Sequence, residues 1–233
     1  MPVILITGAS QGIGAAIAKR FAQEPQAQLV LVARSVNKLQ QVARQCQTSG
    51  AEVWVYPADV TQENAIDLLR EEVLEAWGAP DVLINNAGQF KPGSTIDTTP
   101  TDFQQQLAVN LTSAFLITRA FLPAMLQRKH GHIFFMGSVA SIRAYPNGAA
   151  YCAAKHGLLG FARVVREETK NQGIRVTTLL PGATLTPSWE GTDLPPERFM
   201  PPEDIAAAVY DIYRLSPRTV VEEIILRPQA GDI

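Results

Sequence analysis

The chain has few cysteines and little charge of either sign. Only 2 of its 233 residues are cysteine, Cys46 and Cys152, which is too few for a disulfide framework and gives no metal-ligand spacing. Its 20 basic residues are balanced by 22 acidic ones, and no dense run of lysine or arginine occurs. This balance argues against binding of a phosphate backbone as the main function. We therefore expect neither a metal site nor a nucleic-acid partner.

Long apolar runs are also missing. No run approaches the roughly 18 residues of a membrane span, and the opening MPVILI lacks the basic region and long apolar stretch of a signal peptide. The composition is nevertheless 46% hydrophobic, enough for a chain of this length to bury a sizeable core. We expect a cytoplasmic globular protein without membrane contact.

Short apolar runs alternate with segments of helical periodicity. The runs predict strands at 3–6, 29–32, 53–56, 82–84, 132–136, 175–180 and 223–226. Continuous apolar strands separated by helices of ten or more residues are typical of a parallel sheet with helices on both faces. No repeat or change of composition divides the chain, so the prediction is a single α/β domain over 1–233.

Three local features complete this prediction. Thr61 is expected to cap the helix that follows the third strand. Pro123 is expected to kink or break a long helix over 102–127. The segment 181–202 holds six prolines and is interpreted as a loop, with a short substrate lid at about 183–201.

A glycine-rich turn, TGASQGIG, follows the first strand at 7–14. Gly8, Gly12 and Gly14 permit a tight turn and close approach of the backbone to a pyrophosphate, which the free amides of the next helix attract. The alternative is a glycine-rich turn that binds no ligand.

The end of the second strand indicates which dinucleotide would bind. An NAD site would place a carboxylate there for the ribose hydroxyls, but the sequence has Ala33, followed by Arg34 and Ser35. Arg34 could pair with a 2′-phosphate, which favours NADP(H) over NAD(H), although Gln11 gives the glycine turn no second cation. Asp59 could accept a hydrogen bond from the adenine amino group or could simply stabilise its turn.

Tyr151 and Lys155 lie four residues apart on a predicted helix and so share one face. A phenol with a pKa of ~10 is a poor acid near neutrality. An ammonium within ~4 Å is expected to lower that pKa by roughly three units before the opposing effect of desolvation is subtracted. Ser138 is expected to hold the substrate oxygen. Asn110 is either a satisfied core amide or a member of a proton relay beside Lys155.

Taken together, these segments resemble the short-chain dehydrogenases/reductases. The resemblance rests on TGASQGIG, Asp59-Val60, Asn85 to Gly88, Asn110, Ser138, Tyr151 with Lys155, and Pro181-Gly182 with Thr186, in the order and spacing of the family. It implies an NAD(P)-dependent oxidoreductase with a doubly wound, seven-stranded Rossmann sheet. It assigns Tyr151 as acid/base, Lys155 to the nicotinamide ribose and tyrosine activation, Ser138 to substrate orientation and Asn110 to the relay.

The resemblance also implies a cofactor site and an assembly. The implied cofactor residues are Gly8, Ser10, Gln11, Gly12, Ile13, Gly14, Arg34, Ser35, Asp59, Val60, Asn86, Ala87, Gly88, Tyr151, Lys155, Pro181, Gly182, Thr184 and Thr186. Family members commonly form homodimers or homotetramers through two long helices, here 102–127 and 151–171.

The leading hypothesis is an NADPH-dependent reductase of a small or carrier-bound carbonyl, with a 3-oxoacyl thioester favoured as the commonest substrate of similar proteins. Alternatives are a promiscuous diketone reductase, or a sepiapterin-reductase-like enzyme in which Asp232 anchors a pterin; a frayed terminal acid is the simpler interpretation of Asp232. Specificity is expected from 89–96, 139–147 and 184–200, with Trp189 and Phe199 as lid contacts. A hypothesis of another class is a non-catalytic NAD(P)-sensing protein.

Overall fold

A computed structural model of the chain describes residues 1–232 and contains one seven-stranded sheet in the order β3-β2-β1-β4-β5-β6-β7, with every pairing parallel. The strands are β1 (Val3–Thr7), β2 (Gln28–Ala33), β3 (Glu52–Pro57), β4 (Val82–Asn85), β5 (Gly131–Met136), β6 (Ile174–Pro181) and β7 (Glu223–Leu226). The helices are α1 (Gly12–Phe21), α2 (Val36–Gln47), α3 (Glu63–Ala76), α4 (Pro100–Leu107), α5 (Ser113–Gln127), α6 (Ala149–Thr169) and α7 (Pro202–Arg214). The α/β, Rossmann-type fold is confirmed.

The sheet separates two hydrophobic cores. Within β1, Ile4 and Ile6 pack into the core beneath α1, α2 and α7, whereas Leu5 packs into the core beneath α3, α5 and α6. Successive side chains of a strand point to opposite faces, so a strand covered on both sides must be apolar at every position. This explains the continuous apolar runs.

The order of the strands reverses beside β1. The chain builds β1, β2 and β3 in one direction and then crosses back to place β4 on the other side of β1. The loops that leave β1 and β4 diverge at this point and open a crevice at the carboxyl ends of the strands. The glycine turn and the loop after β4 both lie there.

The long helix over 102–127 is interrupted, but the prediction of a break at Pro123 is wrong. Helix α5 continues through Pro123. Both Pro123 and Arg119, whose carbonyl loses its hydrogen bond to the proline, are exposed, so water can satisfy that carbonyl. The interruption is instead a π-helical turn, Ala108–Thr112, which places Asn110 at its centre.

The prediction that Thr61 caps α3 is also wrong, because the N-cap residue is Gln62. The backbone N–H and the hydroxyl of Thr61 both donate to Oδ1 of Asp59, at 3.0 and 2.8 Å. Asp59 thus stabilises the turn after β3.

Residues 183–201 form an irregular segment over the carboxyl end of β6. Its base is closed by two backbone hydrogen bonds, from Leu185 N–H to the Met200 carbonyl (2.8 Å) and from Met200 N–H to the Ala183 carbonyl (3.0 Å). Trp189 and Phe199 pack with their ring centroids 5.0 Å apart, and Phe199 is only 6% exposed. Phe199 therefore packs the segment onto the body.

The helical stretch Pro100–Gln127 contains an 18-residue window with a mean hydropathy of 1.4, and by length and composition alone it could cross a membrane. Its α5 part contributes Ile117, Phe121 and Met125 to the core beneath the sheet. The apolar content of this stretch is thereby explained by its place in the fold.

Candidate active site

A cavity of about 550 Å³ opens at the carboxyl ends of β1, β4, β5 and β6. The structure brings most of the predicted site residues to its wall: Gly8, Gln11, Gly12, Ile13, Gly14, Asn86, Gly88, Asn110, Ser138, Tyr151, Lys155, Pro181, Gly182, Thr184 and Thr186. The predicted residues outside this wall are Ser10, Arg34, Ser35, Asp59, Val60 and Ala87. No group of three or more His, Cys, Asp or Glu side chains within residues 1–232 could hold a metal ion.

The glycine turn is packed as tightly as its sequence predicts. A Cβ at Gly14 would lie 2.3 Å from the Gly8 carbonyl oxygen, and Gly8 itself has a φ of +66°. Gln11 makes no side-chain cap on α1, and the first turn of that helix has no acidic residue. The free amides at this helix start and the close backbone fit the diphosphate of a dinucleotide.

The loop after β4 is hydrogen-bonded to the glycine turn. The Thr7 hydroxyl accepts from the N–H groups of Asn86 and Ala87, both at 3.0 Å, and donates to the Ile84 carbonyl at 3.2 Å. The Asn86 amide donates to the carbonyls of Thr7 and Gly8, at 2.9 and 3.2 Å. The structure thus gives Ala87 a contact with the turn.

The end of β2 presents an unneutralised cation. The Arg34 side chain is exposed, and no ion pair to a carboxylate is found for it within residues 1–232. Ser35 occupies the N-cap position of α2 but its hydroxyl makes no capping bond. Both side chains are free to contact a ligand beside the glycine turn.

Lys155 is a buried cation, 4% exposed, whose ammonium donates to the Met136 carbonyl at 2.8 Å. It lies 5.6 Å from the ring centroid of Tyr151. Because burial disfavours the charged form, the pKa of Lys155 falls to about 8.

Tyr151 does not have the lowered pKa that its spacing from Lys155 predicts. Burial raises the pKa of Tyr151 to about 12, and the hydrogen bond with Ser138 only partly opposes this. The lowering expected from the charge of Lys155 was stated before the loss of water around the phenol is subtracted. In this structure desolvation is the larger effect.

Ser138 is fixed by the turn that follows β5. Its hydroxyl accepts from the Ala140 N–H at 3.1 Å, and its own N–H donates to the Ser141 hydroxyl at 3.2 Å, which forms a capping box. The two bonds fix the backbone and the hydroxyl of Ser138, a residue that lines the cavity beside Tyr151.

Asn110 is a satisfied buried amide. Its Nδ2 donates to the Gln89 carbonyl at 2.8 Å and to the Gln106 carbonyl at 3.0 Å, and its Oδ1 accepts from the Gln89 N–H at 3.0 Å. A Cβ on Gly88 would lie 2.9 Å from that Oδ1 and 3.5 Å from the Lys155 ammonium. Asn110 therefore holds the loop after β4 against Lys155.

Aromatic side chains line the outer part of the cavity. The ring centroid of Phe90 lies 5.1 Å from that of Tyr151 and 6.4 Å from that of Tyr145, both nearly edge-to-face. Trp189 also lines the cavity, whereas Phe199 does not. Sequence reasoning predicted these regions but did not single out Phe90 or Tyr145, because neither lies in a motif.

The frayed-acid interpretation of Asp232 is wrong. Its Oδ2 lies 3.4 Å from Nη1 of Arg143 and 3.5 Å from Nη1 of Arg227, and its backbone carbonyl accepts from Arg198 at 3.4 Å. Asp232 and Arg143 both line the cavity. The outer wall thus carries a carboxylate and a guanidinium, of which Arg143 was missed from the sequence.

Comparisons with known proteins agree with this geometry. The sepiapterin reductase of Chlorobaculum tepidum is 39% identical over 99% of this chain and 98% of its own length. Among solved structures, the alcohol dehydrogenase of Thermococcus sibiricus complexed with 5-hydroxy-NADP superposes with a TM-score of 0.93 at 31% identity, covering 100% of this chain and 99% of its own. A metagenomic short-chain oxidoreductase in complex with NADP superposes with a TM-score of 0.87 at 35% identity, covering 98% of this chain and 97% of its own chain.

A family model described as short chain dehydrogenase matches residues 2–194. The glycine turn, the convergence of Ser138, Tyr151 and Lys155 on one cavity, and this match lead to one conclusion: the chain belongs to the short-chain dehydrogenase family of oxidoreductases.

Proposed function

We propose that this protein is an NADPH-dependent reductase that converts a carbonyl to an alcohol. The observation that carries the proposal is that Tyr151, Ser138 and Lys155 converge on a cavity that also borders the glycine turn. A reductase needs its proton donor and its cofactor on the same side of the substrate. The three side chains would act as one unit, with the roles that the family resemblance implies.

The cofactor residues would divide into two groups. The glycine turn would hold the diphosphate, and Arg34 with Ser35 would receive the 2′-phosphate. Lys155 and the residues from Pro181 to Thr186 would hold the nicotinamide ribose and carboxamide. When bound, the cofactor supplies the hydride.

Tyr151 would act as the general acid. With its pKa raised to about 12, the phenol is fully protonated near neutrality. As the carbonyl carbon gains its hydride, the oxygen becomes an alkoxide, which is a stronger base than a phenolate, so the phenol proton passes to it. Ser138 would donate a hydrogen bond to the same oxygen. Lys155, with a pKa of about 8, would then favour the phenolate until solvent returns the proton.

Within this class we favour a planar, heterocyclic carbonyl such as a pterin over a 3-oxoacyl thioester. The rings of Phe90, Tyr145 and Trp189 give the cavity flat apolar walls, and Asp232 offers a carboxylate at its edge. A pterin carries ring N–H and amino donors that a carboxylate can accept. The 39% identity to a sepiapterin reductase supports the same choice, whereas the 3-oxoacyl group of a thioester has no N–H donor for Asp232. Small diketones would enter the same cavity with fewer contacts.

The competing class is a protein that senses NADP(H) without turnover. The joint presence of a fixed serine, a protonated tyrosine and a buried lysine supports catalysis, since nucleotide binding alone does not require all three at the cavity. We further propose a cytosolic homodimer or homotetramer formed through α5 and α6. The exposed Phe115 and Val164 on these helices, at 43% and 52%, support such packing.

The test follows oxidation of NADPH and of NADH with sepiapterin, a small diketone, an aromatic ketone, an aldehyde and acetoacetyl thioester. The proposal predicts turnover with NADPH in preference to NADH and the highest kcat/KM for the pterin. Highest kcat/KM for the thioester would overturn the substrate assignment. Tight NADPH binding with no turnover on any carbonyl would favour the sensor.

A further inference from the structure

Lys38 reaches from α2 to the glycine turn. Its ammonium donates to Oε1 of Gln11 at 2.6 Å, across 27 positions of sequence. Both side chains are exposed, so nothing in the packing forces them together. The contact places a positive charge at the position where the glycine turn itself has only a neutral amide.

The two cations nearest this contact, Lys38 and Arg34, are not paired with an acid in the part of the chain that the structure describes. Within residues 1–232, no ion pair joins Lys38 or Arg34 to a carboxylate, and the first turn of α2 contains no acidic residue. Lys38 lies one helical turn beyond Arg34, and the two cations flank the uncapped N-terminus of that helix. The wall of the groove at this contact carries Lys19 and Lys38 against Glu190 and Glu203, so the attraction for an anion comes from the two unpaired cations and the helix N-terminus and not from a net charge of the groove.

The two side chains have different roles: Gln11 positions Lys38, and Lys38 keeps free donors for a ligand. An ammonium has three donors, of which Gln11 takes one, so two remain for a ligand. The Gln11 carbonyl oxygen can only accept from Lys38, and it thereby keeps a long, flexible side chain pointed at the turn. Lys38 and Gln11 also line one groove of about 470 Å³ together with Ser10 and Gly12.

We propose that Lys38, held by Gln11, is a specificity-determining residue that binds the 2′-phosphate of the cofactor together with Arg34. Lys38 supplies from α2 the cation that the glycine turn lacks. This inference rests on the proposed preference for NADPH and extends it to a residue outside every motif of the chain. An unphosphorylated ribose has no anion for Lys38, so the interaction discriminates between the two cofactors.

The test is equilibrium binding, with no turnover required. Quenching of tryptophan fluorescence gives the Kd of NADPH and of NADH for the wild type and for Lys38→Gln. We expect Lys38→Gln to raise the Kd of NADPH about tenfold and to change the Kd of NADH less than twofold. Lys19→Gln is the matched control, because Lys19 lines the same groove but the Gln11 side chain takes its hydrogen bond from Lys38, and it should leave both values unchanged.

A charge-relocation variant tests the mechanism directly. The double variant Gln11→Lys with Lys38→Gln moves the positive charge from α2 to the glycine turn. Its Kd for NADPH should lie within about threefold of the wild-type value. Two results would overturn the role of Lys38 but not the preference for NADPH. In the first, Lys38→Gln raises the Kd of NADPH and the Kd of NADH equally. In the second, the wild type prefers NADPH, and Lys38→Gln leaves the Kd of NADPH unchanged. A wild type that binds NADH as tightly as NADPH would overturn the cofactor preference and, with it, this inference.

Discussion

The Lys155 ammonium lies 5.6 Å from the ring centroid of Tyr151, on the same helix, and donates to the Met136 carbonyl at 2.8 Å. The strand carbonyl thus holds the cation beside the phenol, although a neutral acceptor compensates only part of the cost of burying a charge. The pKa of Lys155 falls and that of Tyr151 rises for the same reason, the loss of water. Each group is therefore biased towards its neutral form.

Replacing Lys155 by methionine should stabilise the fold while abolishing activity. Because its folded pKa of about 8 lies below the usual 10.5, the unfolded chain binds more protons between these values, and the free energy of unfolding rises with pH across that window. Lys155→Met should remove this rise and increase the free energy of unfolding at pH 7 by about 1–2 kcal/mol. Urea unfolding at pH 7, 8, 9 and 10 measures the free energy of unfolding of both proteins and its rise with pH.

The control for this prediction is Lys19→Met, at an exposed position, which should leave the pH dependence of unfolding as in the wild type. A Lys155→Met protein that is less stable than the wild type at pH 7 would show that the bond to Met136 outweighs the cost of burial.

Gly14→Ala should disrupt the cofactor site. The new Cβ would lie 2.3 Å from the Gly8 carbonyl oxygen, so the backbone of the turn must move, which costs about 1–3 kcal/mol. We expect the Kd for NADPH to rise at least tenfold and the melting temperature to fall. Gly160→Ala is the control, because a Cβ there meets nothing within 4 Å and should slightly stabilise α6. Unchanged NADPH affinity in Gly14→Ala would contradict this description of the turn.

Stability should fall at acid pH through His132. This side chain is 1% exposed, and its Nε2 lies 2.8 Å from the Thr177 hydroxyl. Burial, together with the charge of Arg175, holds the pKa of His132 well below its usual 6.5. The unfolded chain therefore binds more protons below pH 6.5, and the free energy of unfolding decreases as the pH falls through that value.

Thermal unfolding between pH 7.5 and pH 5 measures this loss for the wild type and for His132→Gln, in which it should be smaller. His130→Gln serves as the control, since the His130 side chain is 65% exposed and should behave as the wild type. An identical pH dependence in all three proteins would assign the acid sensitivity to other groups.

Asp232→Asn should raise the KM for a pterin and leave the KM for a diketone nearly unchanged. If the carboxylate accepts hydrogen bonds from the heterocycle, its loss removes a charge-assisted contact, and the KM for sepiapterin should rise about tenfold. The KM for a small diketone, which has no donor, should change less than twofold. Steady-state kinetics with both substrates measure the difference. Equal changes for the two would mean that Asp232 shapes the cavity and contacts neither substrate.

Apolar runs and glycine spacing were sufficient to predict the fold. The strands are continuous apolar segments because both faces of the sheet are covered, and the glycine turn is fixed by contacts as close as that between Gly14 and Gly8. The π turn at Asn110 could not be predicted, because its geometry depends on hydrogen bonds to Gln89 on a distant loop.

The candidate site was predictable where a motif carries it, and less so elsewhere. Phe90 and Arg143 come to the cavity through tertiary packing, and no local pattern distinguishes them from other surface residues. Lys38 lies one helical turn beyond Arg34 in the sequence, but its contact with Gln11 could not be predicted. The charge of Lys155 predicted a lowered pKa for Tyr151, but the size of the opposing desolvation could not be predicted, because it depends on how completely the surrounding chain excludes water.

In the proposed mechanism Tyr151 donates the proton to the oxygen of the reduced carbonyl. A stopped-flow measurement of NADPH oxidation at saturating substrate and cofactor, with wild type and Tyr151→Phe compared at pH 7, tests it most directly. Since general acid catalysis contributes about 10²- to 10⁴-fold, the rate of the variant should fall by at least 10²-fold while its Kd for NADPH changes less than threefold. A variant that oxidises NADPH within about threefold of the wild-type rate would contradict the account.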